Sequence, residues 1–504
     1  MACPRFLSWR DKGEPRARSC LRQQLPALPE RFHARVDPAP FAAPRLIKLN
    51  RELAQGLALD PDWLESAEGL SFLSGQTIAP GSEPIATAYA GHQFGNFTPQ
   101  LGDGRAVLLG ELLDREGRRF DVQLKGGGRT PFSRGGDGRA AIGPVLREYI
   151  VSEFMAAVGV PTTRSLAAVA TGEPVYRDTM LPGALLVRVA SSHIRVGTFQ
   201  FFAARQDLEA IQILADHVIA RHYPAAAQAA EPYRALLEAV IAAQAELVAH
   251  WLLLGFIHGV MNTDNMAVSG ETIDYGPCAF LDVYDPGAVF SSIDRGGRYA
   301  YANQPNIALW NLTRLAETLL TLLAPQEDAA VAIAQEALAT FEPRFTQAYR
   351  TGLARKLGIM TPRAEDAELA NAILKAMAEN QVDFTLFFRA LSGAIEPGDD
   401  EPVRSLFVDP TAADPLLERW RARLAEEQQD AEDRRVAMDR VNPAFIPRNH
   451  RIEAVIAAAL KDDFAPFEEL MAVLSRPFDD QPDFAGYAVP PLENERVLAT
   501  FCGT

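Results

Sequence analysis

Cysteine is scarce in this chain. Cys3, Cys20, Cys278 and Cys502 are the only four among 504 residues. No two of them stand in CxxC spacing, which argues against a zinc site and fits a reducing compartment. Uninterrupted apolar runs are missing as well. The richest stretch, residues 236–256, is broken by Glu238, Gln244, Glu246 and His250, so it reads as a buried helix and not as a membrane span. Residues 1–21 carry Asp11, Glu14 and two prolines and lack the apolar segment of a secretory signal. Those absences point to a cytoplasmic protein with no membrane partner. Positive charge is in deficit, with 49 Lys and Arg against 65 Asp and Glu, a net charge of −16. Such a surface repels a phosphate backbone and argues against nucleic acid as a partner. A single nucleotide can still bind where basic residues gather in one cleft. Gly-Lys-Ser/Thr does not occur, which excludes a P-loop. The remainder is ordinary globular composition, 48% hydrophobic and 23% charged, with core enough for two or three domains.

What is present centres on His258-Gly259-Val260-Met261-Asn262-Thr263-Asp264-Asn265, followed by Asp274-Tyr275-Gly276. A helical run leads into a tight turn at Gly259, a polar cluster, a short apolar segment and a second acid. Asn265 and Asp274 offer the oxygen ligands a hard cation such as Mg²⁺ takes, usually one or two from protein. The order matches the catalytic and metal loops of kinase-like enzymes. One residue breaks the match. Kinases place the catalytic Asp two residues after the His, and here that position is Val260, which cannot accept a proton. Asp264 is the substitute acid, unless the chain is catalytically inert.

Upstream, residues 1–80 form a Pro-rich entry with helical patterns at 43–56 and 60–66. Two apolar strands, 106–113 and 119–124, are joined by the turn Asp114-Arg115-Glu116-Gly117. Lys125 closes the second strand. A loop with six glycines, from Gly126 to Gly138, carries Arg129, Arg134 and, just after it, Arg139. A helix from Pro144 to about Val158 places Glu148 in its first turns. Strands follow near 164–170 and 184–189. From Gln206 onward the pattern is helical: 208–222, 233–256, 307–323, 327–352, 364–377, 415–433 and 450–460.

A strand lysine held by a helix glutamate is how kinase-like folds aim an ammonium at nucleotide phosphates, which gives Lys125 and Glu148 that role. Gly102, Gly104 and Arg105 form a turn whose N–H groups can approach phosphate, and the loop arginines offer an anion cradle. Arg188 and Arg195 are a second basic pair, suited to phosphate oxygens or to acids of the helical half. Cys278, just after Gly276, and Cys502, near the end of the chain, make a candidate redox pair able to tie the tail to that loop.

Taken together, Tyr89-Ala90-Gly91-His92-Gln93-Phe94-Gly95, Leu101-Gly102-Asp103-Gly104-Arg105, Gln123-Leu124-Lys125-Gly126-Gly127-Gly128-Arg129-Thr130-Pro131, the 258–265 stretch and Asp274-Tyr275-Gly276-Pro277 resemble the selenoprotein O family, also called the YdiU or SelO protein adenylyltransferase family. The resemblance runs from about Leu21 to the C-terminus. It implies an atypical α+β, bilobal kinase-like fold that binds ATP inverted and transfers AMP to Ser, Thr or Tyr hydroxyls of proteins. By motif, it implies nucleotide binding by Gly102, Gly104, Arg105, Lys125, Asp137, Gly138, Glu148, Arg188, Arg195 and Asp274. It implies Mg²⁺ or Mn²⁺ binding by Asn265 and Asp274, and Asp264 as proton acceptor. The chain ends Phe501-Cys502-Gly503-Thr504, so the selenocysteine of animal members has no counterpart after Cys502. The expected organisation is an N-terminal extension (1–80), a β-rich nucleotide lobe (81–190), a helical lobe with the catalytic and metal loops (191–400) and a helical C-terminal region (401–504), acting as a monomer. A γ-phosphate-transferring kinase and an inert ATP-binding pseudokinase scaffold are the alternatives.

Overall fold

The structure, a computed structural model, describes residues 24–501. Its strands, in chain order, are β1 (His33–Arg35), β2 (Arg45–Leu49), β3 (Ile85–Thr87), β4 (Gly91–Gln93), β5 (Asn96–Thr98), β6 (Ala106–Leu113), β7 (Arg119–Lys125), β8 (Ala140–Ala141), β9 (Arg164–Tyr176), β10 (Met180–Ala190), β11 (Phe256–Ile257) and β12 (Ala279–Phe280). Among the described residues, eight build one sheet in the order β1-β3-β6-β7-β10-β9-β2, with β8 paired to β10. Its pairings are antiparallel. The expected 106–124 hairpin is β6–β7. Asp114 closes its turn, the Oδ1 accepting from Glu116 N at 3.0 Å and Arg118 N at 2.8 Å.

Period-2 alternation splits this sheet between two cores. Val122 and Leu124 of β7 join Val107, Leu109, Leu185, Val187 and Val189 on one face. That face is covered by α1 (Arg51–Gly56), α2 (Pro61–Leu64) and α3 (Ala67–Leu73), which contribute Ala54, Leu64, Phe72 and Leu73. Gln123 and Lys125 point to the opposite face, beneath α4 (Ile142–Ala157). The register sets Lys125 against Leu186 and Gln123 against Arg188, so Lys125, Gln123 and Arg188 share the α4 face.

The helical half continues with α5 (Val196–Ala203), α6 (Leu208–His222), α7 (Pro232–Leu253), α8 (Gln304–Leu323), α9 (Glu327–Leu338), α10 (Phe341–Lys356), α11 (Asp366–Glu379), α12 (Phe384–Leu391), α13 (Glu401–Arg404), α14 (Asp414–Leu424), α15 (Ala431–Asp439), α16 (Asn449–Ala459) and α17 (Ala465–Leu474). Among the described residues α7 alone is long and apolar enough to cross a membrane. Here Leu237, Ile241, Val248 and Trp251 are buried and α7 packs on α8 and α10. It ends at Gly255, whose φ of +71° makes the turn into β11. Pairing of β11 with β12 folds the chain back, so the segment between them, residues 258–278, is held as one polar loop.

Three expected elements come out differently. Residues 45–49 are an edge strand on β9, and helix begins only at α1, capped by Asn50 Oδ1 on Leu53 N at 3.0 Å. The 327–352 run is two helices, because Pro343 has no N–H to give the preceding turn and its ring opposes a continuous helix. The 415–433 run breaks at Glu427, which is drawn aside to accept from Met360 N and Thr361 N, each at 3.0 Å. Asp430 then caps α15. Strands β1 and β2, from the segment before residue 80, complete both edges of the sheet. Cys278 is buried. Cys502, and with it the candidate redox pair, lies outside the described residues, as do residues 1–23.

Candidate active site

Three cations from three elements converge on one carboxylate. Lys125, at the end of β7, donates from Nζ to Asp274 Oδ1 at 2.7 Å and to Glu148 Oε2 of α4 at 2.5 Å. Arg188 of β10 donates from Nη1 to Asp274 Oδ1 at 2.6 Å and to Glu148 Oε1 at 3.1 Å, and from Nη2 to Gln123 Oε1 at 2.6 Å. Arg195, immediately before α5, reaches Asp274 Oδ2 at 3.0 Å and donates to the Asp264 carbonyl at 2.8 Å. Its guanidinium lies over the Tyr89 ring, 4.5 Å from the centroid. Arg188 and Arg195 are almost fully buried, with side chains 1% and 4% exposed. Burial alone would raise the Asp274 pKa, but Lys125, Arg188 and Arg195 outweigh it and hold this carboxyl well below its usual range. Asp274 also sits at φ +63°, in the left-handed region. For a residue other than glycine such backbone costs energy and persists only where its surroundings fix it.

Asp264 stands in a contrasting environment. It is 7% exposed, and burial, opposed by Arg195, pushes its pKa up to about 6. Its Oδ2 accepts from Gln93 Nε2 at 3.2 Å. Its Oδ1 is buried and has no hydrogen-bond partner among the described residues. A buried oxygen left without a donor marks a place where a further donor or a cation belongs. Two carboxylates in one buried cluster, one held ionised and one pushed toward neutrality, are the arrangement that separates a charge-binding role from a proton-accepting one.

His258 and Val260 do no such chemistry. His258 donates from Nε2 to the Ile273 carbonyl at 2.9 Å, and its Nδ1 faces Val260 N at 3.4 Å. Burial lowers its pKa, so it is a neutral tie across the loop. Val260 is buried. Asn265 donates from Nδ2 to the Val260 carbonyl at 3.0 Å, which fixes the amide and leaves its oxygen as the atom able to take a cation. Asp274 Oδ2 meets Arg195 Nη1 at 3.0 Å, and a carboxylate oxygen has a second lone pair to offer a cation. An amide oxygen and a carboxylate oxygen suit Mg²⁺, which fills its other positions with phosphate and water. The donor set therefore fits the expected metal. Among the described residues no group of three or more His, Cys, Asp or Glu could hold a metal ion by itself.

The glycine motifs frame this cluster. Asp103, between Gly102 and Gly104, is buried. Its Oδ2 accepts from Thr87 N at 3.0 Å and from Gln123 Nε2 at 3.4 Å, and its Oδ1 lies 3.9 Å from Arg195. Gly102, at φ +90°, abuts Phe132, where a Cβ would collide. The Arg105 carbonyl accepts from Gly126 N at 2.7 Å, joining the two glycine loops. Gly138 packs against the Gly128 carbonyl with no room for a side chain. Asp137 turns instead to Arg177, at 2.8 Å, beyond the end of β9. The structure thus draws Lys125, Glu148, Arg188, Arg195, Asp264 and Asp274 together, with Gly102, Gly104 and Arg105 at their margin. Asp137 and Gly138 shape the adjoining loop.

Sequence reading assigned no role to Gln123, Asp103, Tyr89 or Gln93. Gln123 carried a usable signal, a polar residue between Val122 and Leu124 in a strand covered on both faces. The others lay inside quoted motifs with no chemistry attached.

Known proteins resemble this chain over nearly its whole length. A family model described as "Protein adenylyltransferase SelO" matches residues 17–475. A protein nucleotidyltransferase YdiU of Bradyrhizobium sp. (strain BTAi1 / ATCC BAA-1182) is 67% identical over 479 residues, covering 95% of this chain and 98% of the relative. Proteins of the same description from Rhodopseudomonas palustris (strain BisB5) and Methylorubrum populi are each 65% identical, over 480 and 485 residues. They cover 95% of this chain and 98% and 97% of the relatives.

Proposed function

The chain belongs to the protein adenylyltransferase SelO family, and from that premise we infer how its cleft moves AMP from ATP to a protein. The enzyme is a nucleotidyltransferase that releases pyrophosphate. The observation that carries the reading is the pairing of two unlike carboxylates. Asp274 is ringed by Lys125, Arg188 and Arg195, while Asp264 keeps a buried oxygen with no donor among the described residues.

In the proposed reaction an acceptor oxygen of Ser, Thr or Tyr bonds to the α-phosphorus, the bond from that phosphorus to the pyrophosphate oxygen breaks, and the hydroxyl proton passes to Asp264. Lys125, Arg188 and Arg195 are fixed, desolvated donors that hold phosphate oxygens and steady charge as it develops on the leaving pyrophosphate. Glu148 keeps Lys125 and Arg188 aimed into the cleft. Asn265 and Asp274 would hold Mg²⁺ or Mn²⁺, which when bound neutralises phosphate charge. Gly102, Gly104 and Arg105 border the nucleotide's path, and Asp137 and Gly138 shape the loop beside it. Residues 81–190 act as the nucleotide lobe and 191–400 as the lobe carrying the catalytic loop, with the described part of the 1–80 extension packed on the core and the described part of 401–504 completing the helical side. A γ-phosphate kinase has no base in this cleft at the kinase position, since Val260 occupies it.

Intact-mass spectrometry of an acceptor protein after incubation with ATP tests the reading. It predicts a gain of one adenylate per modified hydroxyl with stoichiometric pyrophosphate. A gain of phosphate would overturn it.

A further inference from the structure

The Tyr89–Gly95 motif is the one long motif that the nucleotide and metal sites leave without a role. Its residues form β4 and the turn into β5, a short hairpin that lies directly on the 262–264 segment. Three consecutive positions are tied to it. His92 N donates to Thr263 Oγ1 at 2.7 Å, Gln93 Nε2 to Asp264 Oδ2 at 3.2 Å, and Phe94 N to Asn262 Oδ1 at 3.0 Å. The anchor points are themselves braced. Thr263 Oγ1 donates to Gln200 Oε1 at 2.6 Å, while Gln200 Nε2 meets His92 Nδ1 at 2.8 Å. Tyr299 OH donates to Asn262 Oδ1 at 2.7 Å.

We propose that Gln93 is a positioning residue for AMP transfer, its amide holding the Asp264 carboxylate through Oδ2 in the orientation from which it takes the acceptor proton. The direction of the bond is settled by chemistry, because a carboxylate oxygen can only accept and the amide nitrogen must therefore be the donor. Gly91 supports the same arrangement from two residues away. A Cβ at that position would collide with Asp264 Oδ1 and with the Leu101 side chain, so glycine is what leaves that oxygen its place. Gly197 closes the far side, packing against the Ala90 carbonyl and the Asp264 Cα with no room for a side chain. Asp264 is thereby held by a hydrogen bond at Oδ2, by Gly91 beside Oδ1 and by Gly197 against its Cα.

The proposal rests on Asp264 being the proton acceptor of the transfer reaction, and its test separates the two ideas. Gln93 is half-buried, so variants there are expected to fold, which thermal melting verifies. Gln93→Met keeps the length and removes the donor. Gln93→Glu keeps the shape and replaces the donor with a second carboxylate. Transfer rate at saturating ATP and ATP affinity by calorimetry are measured for each, with a defined acceptor protein. The expected result is a kcat loss of about 5- to 50-fold for Gln93→Met and a larger loss for Gln93→Glu, on the scale by which a misplaced catalytic group costs rate. ATP affinity should stay within about twofold of wild type, since a group that acts only in the transition state does not change ground-state binding. A filler role would make the two variants equal. A Gln93→Met rate within about twofold of wild type, equal losses in both variants, or a matching loss of ATP affinity would each overturn the assignment. If Asp264→Ala retains the wild-type rate while Gln93→Met is slow, Asp264 is not the base and it is the underlying reading that fails.

Discussion

Arg188 and Lys125 donate to the same oxygen, Asp274 Oδ1, at 2.6 and 2.7 Å, although they stand on neighbouring strands and Asp274 lies in the loop before β12. The β sheet and the 258–278 loop are therefore joined by a shared charge and not by apolar contact alone. Both cations also share Glu148. The four residues form a closed ring, and the behaviour of variants follows from that closure.

Removing Asp274 leaves Lys125, Arg188 and Arg195 crowded with one counter-charge fewer. Breaking a buried pair in this way costs about 3–5 kcal/mol. Asp274→Ala is expected to lower the melting temperature clearly and to abolish transfer. Asp264→Ala should change stability little, because burial already pushes the Asp264 carboxyl up to about 6, its Oδ1 has no hydrogen-bond partner among the described residues, and its Oδ2 loses a single 3.2 Å bond from Gln93. Its transfer rate should fall by about 10²–10⁴-fold, the usual worth of a general base, with ATP affinity retained. Melting curves with calorimetric ATP titration of the two variants check the contrast. Equal destabilisation would contradict it.

Lys125 and Glu148 should behave as one unit. Lys125→Met leaves Glu148 with Arg188 alone, and Glu148→Gln removes the brace from both cations. Loss in the double variant is expected to fall short of the sum of the single losses by about 0.5–3 kcal/mol of transition-state energy. Transfer rates of the three variants measure this, and simple addition would show that the two groups act independently.

Lys356 offers a pH signature remote from the cleft. It is 4% exposed, with its ammonium over the rings of Phe388 and Phe384 at 4.4 and 5.6 Å. Burial lowers its pKa from 10.5 to about 7. Between these values the unfolded chain holds more protons than the folded one, so stability rises with pH across that window. It is lost as pH falls through about 7. Lys356→Met should melt higher than wild type at pH 6.5, with the gap closing toward pH 10. A gap that does not change with pH would refute the assignment.

The parts of the site legible in sequence were those whose chemistry sits in one local pattern. Lys125 ends an apolar strand, Glu148 lies near the start of the next helix, and Asn265 and Asp274 flank a short apolar segment. Long-range partnership left no such trace. Gln93 and Asp264 are 171 positions apart, and only the hairpin's docking on the loop shows that one holds the other. Helix α5 escaped periodicity because it is short and apolar around most of its circumference, with Val196, Phe199, Phe201 and Phe202 all buried. Without a polar face there is no period to read. The run across Pro343 failed for the opposite reason, since side-chain periodicity continued where the backbone could not.

The central claim is that the α-phosphate, not the γ-phosphate, passes to protein. Incubating the enzyme with an acceptor lysate and ATP labelled at the α-position, beside a parallel reaction with γ-labelled ATP, tests it directly. The account predicts labelled protein from α-labelled ATP alone, with the label absent when Asp274 is replaced by Ala. Protein labelled from γ-labelled ATP and not from α-labelled ATP would contradict it.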